Sequence, residues 1–339
     1  MWFYSLLLFT TCLFTYLYNR DQSELIRNIL TFIIILVAIL RYEVGYDYIT
    51  YKELIQSEDN DMVNYLFSPL SALFAHIAIY YHSPQLLFIL FGIPTYILTF
   101  STFKRYSADY ALSIMVFMAF FFYTSLSTIR QILAVAICLY GFRYITERKK
   151  IKYLICTILA TLVHPSAIIA IFIYYIYHMR LAVLLGCFTI ALILKPIAFH
   201  LMETYGFYTS YIDNSKDGIT GGSLVRVIQL SLFLFCVLIW LRSKTDDSLS
   251  KGIINIILSG FLVNFMFTAH IGSRIALYFS IYICLLIANI TAMTHGQLKK
   301  QLYFLFYSTC ILYYFTYLLM PTIKGFPSSY IPYKLFFFQ

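Results

Sequence analysis

Four arginines, one aspartate and one histidine are the residues of this chain whose chemistry suits an anionic substrate. They are Arg41, Asp47, Arg130, His164, Arg226 and Arg274. Arginine stays charged and donates paired hydrogen bonds that match phosphate oxygens. Asp47 lies among the tyrosines of segment 41–51, so its carboxylate could accept a hydroxyl proton beside rings on which a sugar could rest. These residue types predict an anion site with a general base.

Each of these residues also has a simpler interpretation. Segment 41–51 could be an interfacial belt, because tyrosine favours that layer of a membrane and arginine reaches to it. A single arginine near a helix end is more often a snorkelling side chain than a ligand, and Arg226, which follows a flexible loop, is the weakest candidate. His164 lies between apolar residues, where a histidine is as often structural as it is a proton carrier or phosphate contact.

Composition indicates what must position these groups. Hydrophobic residues make up 61% of 339 positions and charged residues 12%, against roughly 45–50% and about 25% in soluble domains. The apolar residues recur in blocks long enough for a helix to cross a hydrocarbon core of about 30 Å. The sequence predicts an all-α, polytopic integral membrane protein, a single domain over residues 1–339 with about twelve transmembrane helices.

Charge then sorts the connections between spans. We expect spans near residues 2–18, 25–40, 85–102, 109–124, 131–146, 151–163, 166–179, 181–199, 225–241, 252–270, 274–292 and 302–320. Basic residues fall in alternate gaps, which the positive-inside rule assigns to the cytoplasm. The opposite gaps are then external, namely 41–84, 125–130, 164–165, 200–224, 271–273 and the tail 321–339.

One apolar segment, residues 66–81, would spoil this alternation if it crossed the membrane. It contains Pro69 and His76, and we interpret it as a re-entrant or interfacial helix within the first external loop. The alternative is a thirteenth span that breaks the charge rule, because that rule describes a bias.

Several function classes are disfavoured. The net charge of +9 reflects topology in such a chain, so it does not indicate a nucleic-acid partner. Cysteines and histidines show neither a C-x-x-C pair nor a metal-ligand spacing, so we predict no metal site and no cofactor, and leave open whether a divalent cation assists. The spans nearly lack carboxylates, which argues against a proton-coupled pump. No internal repeat is visible, which weakens the case for a secondary transporter.

The chain resembles the EpsG family of Wzy-type bacterial polysaccharide polymerases. The likeness rests on R-x3-G-x-D-x3-Y from Arg41 to Tyr51, I-R-Q-x-L-A from Ile129, and H-P-S-A from His164. It continues with G-S-R-I-x-x-Y-F from Gly272 and ends with Y-x-P-Y-K from Tyr330. Each motif is short, but their order and spacing run through almost the whole chain.

The resemblance implies a multi-pass enzyme of the bacterial cytoplasmic (inner) membrane that assembles O-antigen, capsule or exopolysaccharide at its outer face. Such a polymerase joins repeat units carried on undecaprenyl diphosphate, so donor and acceptor are both lipid-linked glycans. Further partners would be the lipid bilayer and a chain-length regulator and flippase of the same pathway.

For this reaction we assign hypothetical roles to individual residues. The leaving diphosphate needs charge neutralisation, for which we choose Arg41, Arg130 and Arg274, and the acceptor hydroxyl needs a base, for which we choose Asp47. We predict that the residues that orient the substrate or contact its sugars are Gln131, Tyr51, Tyr278 and His164, with Arg226 as a weaker substrate contact.

Three other functions remain open from sequence. An O-antigen ligase uses the same donor, but it usually carries its large external loop late in the chain, whereas here the longest comes first. A lipid-linked oligosaccharide flippase should carry charge midway along its helices, and this chain keeps nearly all charge at helix ends. A membrane acyltransferase would be favoured if His164 proved indispensable and the arginines did not.

Overall fold

The computed structural model describes residues 1–204, 222–243, 247–266, 269–323 and 328–338. Its α-helices are α1 Trp2–Asp21, α2 Glu24–Ile39, α3 Tyr48–Gln56, α4 Asn60–Leu66, α5 Pro69–Tyr80, α6 Pro84–Tyr106, α7 Tyr110–Phe120, α8 Phe122–Ser127, α9 Ile129–Tyr140, α10 Phe142–Thr146, α11 Lys150–Val163, α12 Ile171–His178, α13 Leu181–Thr204, α14 Gly222–Ser243, α15 Ser248–Met266, α16 Ala269–Ser280, α17 Ile283–Ala292 and α18 Gly296–Ile323. Short 3₁₀ helices cover Pro165–Ala170 and Phe336–Phe338, and two-residue strands form β1 (Arg41–Tyr42) and β2 (Lys334–Leu335).

The predicted all-α membrane architecture is confirmed, but the number of about twelve spans is not. Within the described ranges, five helices are long and apolar enough to cross a membrane, namely Pro84–Tyr106, Ile129–Thr146, Ser248–Met266, Gly272–Ala292 and Gly296–Ile323. Shorter apolar helices of 10–17 residues cover Pro69–Tyr80, Tyr110–Phe120, Pro165–His178, Leu181–Ile197 and Val227–Ser243. Breaks and turns thus divide several of the apolar runs that the sequence presents as continuous.

Helix α5 is the segment that we predicted to stay within the first external loop. It has 12 residues, which at about 1.5 Å per residue is well short of a hydrocarbon core of about 30 Å. This length suits a re-entrant or interfacial helix, and its placement in the membrane stays a prediction.

Helix α7 lies at the centre of the bundle. All of its residues from Tyr110 to Phe120 are buried, and it packs against α1, α6, α17 and α18. A helix that is apolar on every side is buried by its neighbours. The chain then continues through α8 into α9, so the core leads directly to the candidate residues at 130 and 131.

Contacts between connections show which ones share an end of the bundle. At one end, Arg130 bonds to the Leu66 carbonyl, Gln131 to the Arg274 carbonyl, and Tyr330 to Ser127. The opposite end carries ion pairs between Lys104 and Glu24 and between Arg105 and Glu147. Which end faces the cytoplasm stays a prediction.

Gly45 has a conformation and a setting that need glycine. Its φ is +107°, and a Cβ there would collide with the backbone oxygen of Leu126. L-residues rarely adopt such a φ, and a backbone carbonyl cannot swing aside as a flexible side chain can. The loop between β1 and α3 is therefore pressed against the end of α8.

We expect Gly45→Ala to destabilise the protein by about 1–3 kcal/mol, the typical cost of a strained backbone position. Thermal unfolding of the purified protein in detergent measures the loss. Gly186→Ala is the matched control, because a Cβ at Gly186 meets nothing within 4 Å. Equal melting temperatures for the two variants would contradict this account of the loop.

Candidate active site

Asp47 lies at the N-terminus of α3, two residues after the tight Gly45 loop. Its side chain does not cap the helix, and within the described part of the chain its carboxylate has no hydrogen bond or ion pair. Burial raises the pKa of Asp47, while the positive charges of Arg274 and Arg130 oppose that rise. A half-buried carboxylate with free lone pairs and a raised pKa is a suitable general base.

Arg130 is held at the N-terminus of α9. Its Nε donates to the Tyr51 hydroxyl at 3.1 Å and its Nη1 to the Leu66 carbonyl at 2.9 Å. Its guanidinium carbon lies 4.3 Å from the centre of the Phe67 ring. These contacts fix the guanidinium and leave Nη2 without an acceptor among the residues that the structure describes. A helix N-terminus also favours anions, so the Arg130 guanidinium and the N-terminus of α9 both attract a negative group to this point.

Arg274 is brought to the same place by Gln131. The Gln131 side chain, only 2% exposed, donates from Nε2 to the Arg274 carbonyl at 2.7 Å. This bond ties α9 to α16 beside the two arginines. The Arg274 side chain itself is exposed, so Gln131 orients the cation through its backbone.

His164 occupies the turn between α11 and the 3₁₀ helix Pro165–Ala170. Its Nδ1 accepts from the Ser166 backbone N–H and lies 2.7 Å from the Ser166 hydroxyl, which in turn lies 3.0 Å from the Tyr278 hydroxyl. Burial, reinforced by the charges of Arg130 and Arg274, lowers the pKa of His164 to about 4. The ring is therefore neutral near pH 7, and because Nδ1 accepts, the proton resides on Nε2.

Electrostatics join these residues into one site. Arg130 and Arg274 both act on Asp47, on His164 and on Tyr51, whose pKa burial raises and the two arginines lower. The structure thus brings together the predicted base, two predicted diphosphate ligands and the predicted histidine, from four distant parts of the sequence.

Arg41 is not part of this group, contrary to the expectation that it helps to bind a diphosphate. It is 1% exposed, and its guanidinium donates to the carbonyls of Val44 at 3.0 Å, Leu126 at 2.9 Å and Ala38. Its guanidinium carbon also lies 4.9 Å from the centre of the Phe88 ring. Nε, Nη1 and Nη2 all serve the fold, so the geometry supports a structural role for Arg41.

The remaining predicted residues serve different purposes. Tyr51 and Tyr278 are buried and bond to Arg130 and Ser166, so both support the site from behind. Arg226 belongs to α14, but its side chain lies outside the described residues. Within those residues, no three His, Cys, Asp or Glu side chains group closely enough to hold a metal ion.

Comparison with known proteins places these residues within a known family. The model of the EpsG family matches residues 24–335. The chain belongs to the EpsG family. This family comprises Wzy-type polysaccharide polymerase-like membrane proteins, which confirms the resemblance inferred from the ordered motifs. No curated protein and no solved structure matches the chain.

The family match runs from α2 to β2, so it includes all the site residues and the C-terminal segment as far as residue 335. It supports a polysaccharide polymerase-like function and a multi-pass membrane protein, without naming the donor. Sequence reasoning did not predict two residues of this EpsG-family site. They are Ser166, which contacts His164 and Tyr278, and Phe67, which packs against Arg130. Ser166 lies within the H-P-S-A motif, which was a usable signal, whereas nothing around Phe67 distinguishes it from other apolar residues.

We expect Arg130→Gln and Arg274→Gln each to raise the pKa of His164 above about 4. Removing a nearby positive charge makes protonation of the ring less costly, and it raises the pKa of Asp47 for the same reason. Nuclear magnetic resonance of protein with ¹³C-labelled histidine, assigned with His164→Gln, measures the titration. Arg105→Gln, which alters the opposite end of the bundle, should leave it unchanged. A pKa of His164 that falls or stays fixed in both site variants would contradict the proposed geometry.

Proposed function

We propose that this protein is a polysaccharide polymerase that joins undecaprenyl-diphosphate-linked repeat units at the outer face of the cytoplasmic membrane. The observation that carries the proposal is the Asp47 carboxylate, which has no partner among the described residues and lies in the field of two arginines whose hydrogen-bonding capacity those residues use only partly. A glycosyl diphosphate needs these two functions and no covalent nucleophile, because its anomeric carbon is already activated.

The reaction can be balanced with the residues of the site. The hydroxyl oxygen of the acceptor sugar forms a bond to the anomeric carbon of the donor glycan. The bond from that carbon to the diphosphate oxygen breaks, and its electron pair stays on the diphosphate. The hydroxyl proton passes to Asp47 and then to solvent, and undecaprenyl diphosphate leaves. Arg130 and Arg274 stabilise the negative charge that develops on the leaving group.

Neutral His164 suits a donor role in this scheme. Its Nδ1 is occupied by Ser166, so its Nε2–H can donate to a phosphate or sugar oxygen without adding a charge. A neutral donor with a low pKa keeps the same protonation state throughout the physiological range, so it does not compete with Asp47 for the proton.

The position of charge favours an enzyme over a flippase. Asp47, Arg130 and His164 lie at helix ends or in a turn, whereas a flippase is expected to carry charge along the middle of its pathway. A ligase would use the same donor and a different acceptor, so the acceptor in the assay separates the two. The proposal also includes binding to a flippase and a chain-length regulator of the same pathway. It leaves the need for a divalent cation open, and separate assays test both points.

Loss of Asp47, Arg130 or Arg274 should cripple polymerisation while leaving expression intact. We expect Asp47→Asn, Arg130→Gln and Arg274→Gln each to lower the rate by about a hundredfold or more, the usual effect of removing one preorganised group. The assay follows lipid-linked repeat units in reconstituted vesicles, with polymer length read on gels. Arg105→Gln is the matched control, since Arg105 pairs with Glu147 at the other end of the bundle.

Three outcomes distinguish the alternatives. Full-length polymer from Asp47→Asn would show that another group is the base. Normal activity in both arginine variants would remove the physical basis of the polymerase proposal. Loss of activity in His164→Gln together with dispensable arginines would favour a membrane acyltransferase.

A further inference from the structure

The C-terminal tail, residues 328–338, closes on the loop that carries Asp47. Strand β2 pairs antiparallel with β1, with Arg41 opposite Leu335 and Tyr42 opposite Lys334. The Phe336 N–H donates to the Leu40 carbonyl at 2.9 Å. Backbone bonds therefore join the last described residues of the chain to the segment just before the loop that carries Asp47.

A second backbone bond reaches the loop itself. The Gly45 N–H donates to the Ser329 carbonyl at 2.8 Å. Gly45 also faces Leu126 across the contact that excludes a Cβ. The loop is thus held between the tail on one side and the end of α8 on the other.

Tyr330 anchors the tail in the core. It is 0% exposed, and its backbone carbonyl accepts from the Tyr4 hydroxyl at 2.8 Å. Its hydroxyl lies 2.8 Å from the Ser127 hydroxyl and donates to the Tyr123 carbonyl at 3.2 Å. Ser127 in turn accepts from the Tyr46 N–H at 3.1 Å.

These bonds form one chain of hydrogen bonds. The Tyr46 N–H donates to Ser127 Oγ, and the Tyr330 hydroxyl donates to the Tyr123 carbonyl. Because Tyr330 has a single hydroxyl proton and that proton goes to the carbonyl, the Ser127 hydroxyl is the donor to Tyr330 Oη. Tyr46 immediately precedes Asp47, so this chain fixes the backbone from which the carboxylate projects.

Surface ion pairs add little to this attachment. Lys334 and Lys52 both pair with Glu43, at 2.8 and 3.2 Å. Such partly exposed pairs are worth about 0–1 kcal/mol. The buried hydroxyl chain and the backbone bonds are therefore the parts of the tail that fix the loop.

We propose that the tail is a clasp that positions Asp47 for the reaction, with Tyr330 and Ser127 as its positioning residues. The inference rests on the proposed function. The Asp47 carboxylate has no side-chain partner of its own in the described structure, so its place beside the arginines depends on the backbone of residues 45–47. Small misplacements of a reacting group lower the rate far more than they lower stability.

The test uses the full-length protein in reconstituted vesicles with lipid-linked repeat units. Tyr330→Phe keeps the ring and breaks the hydroxyl chain, and Ser127→Ala breaks the same chain at its other member. We expect kcat to fall about tenfold in each, with KM within about twofold, because the substrate-binding arginines are untouched. The kcat of the double variant should be no lower than that of the less active single variant, because both substitutions remove the same hydrogen bond between Ser127 and Tyr330.

Tyr110→Phe is the matched control. Tyr110 is also buried, and its hydroxyl bonds to Thr31 at 3.3 Å, but it begins α7 at the end of the bundle opposite Ser127. We expect its kcat to equal that of the unaltered protein. The amount of folded protein, measured by size-exclusion chromatography, normalises every rate.

The pH dependence of kcat/KM, which reports the ionisable groups of the free enzyme, separates positioning from simple instability. Burial raises the pKa of Asp47 against the pull of Arg130 and Arg274, so a loosened loop that admits water should move the acid limb to lower pH. A loss of folded protein lowers the amplitude and leaves the limb in place.

Asp47→Asn in the same assay keeps the two proposals distinguishable. If Asp47→Asn retains full activity, another group is the base and the clasp proposal fails with that assignment, whereas the proposed function fails only if Arg130→Gln and Arg274→Gln also keep full activity. If Asp47→Asn is inactive while Tyr330→Phe and Ser127→Ala keep the unaltered kcat and acid limb, only the clasp is overturned. A lower kcat with an unmoved limb, or an equal loss in Tyr110→Phe, would also overturn it.

Discussion

The burial of the Arg41 guanidinium on three backbone carbonyls is the interaction on which the site depends. A buried charge costs several kcal/mol unless hydrogen bonds replace its hydration. Here those bonds go to the end of α2, to the following loop and to the end of α8. Arg41 therefore joins three pieces of chain at one point, and the loop leaving that point leads to Asp47. A lysine could not do this, because its single ammonium group lacks the planar fork of donors.

The charge balance of the site follows from that arrangement. The site holds two guanidinium groups, one carboxyl group and a His164 ring whose lowered pKa keeps it neutral near pH 7, so its cationic groups outnumber its acidic group. Neither arginine forms an ion pair with a carboxylate within the described residues. A bound diphosphate would reverse the sign of the site and, as a nearby negative charge, would make Asp47 a stronger base. In the proposed reaction, donor binding and activation of the acceptor would therefore be electrostatically coupled.

Sequence reasoning could propose most residues of the candidate site because charged residues are scarce in this chain. Asp47, Arg130, His164 and Arg274 stand out against 61% hydrophobic residues, and helix ends are where a membrane protein tolerates them. It misplaced Arg41, because a formal charge does not reveal which carbonyls surround it. The decisive carbonyl belongs to Leu126, 85 positions along the chain.

The span count and the tail were beyond the reach of hydropathy for a related reason. Hydropathy measures how apolar a run is, and it does not register a break such as the one between α7 and α8 that divides a run into short helices. The pairing of β1 with β2 involves two residues on each strand, too few for the alternation that identifies strands in a sequence. Both features are set by contacts between distant segments.

Arg130 differs from many other basic residues in its partners, and this contrast supports the assignment of the site. Glutamate pairs at 2.6–3.2 Å are formed by Lys104, Arg105 and Lys149 at the opposite end of the bundle and by Lys52 and Lys334 at the same end. At the site, Arg130 instead bonds to a hydroxyl and a carbonyl, which neutralise none of its charge. Ion pairs with glutamate therefore form elsewhere in the described structure, but Arg130, next to Asp47 and His164, forms none there. An arginine that is positioned by neutral partners keeps its charge for a ligand, and the diphosphate of the proposed donor would be a ligand of this kind.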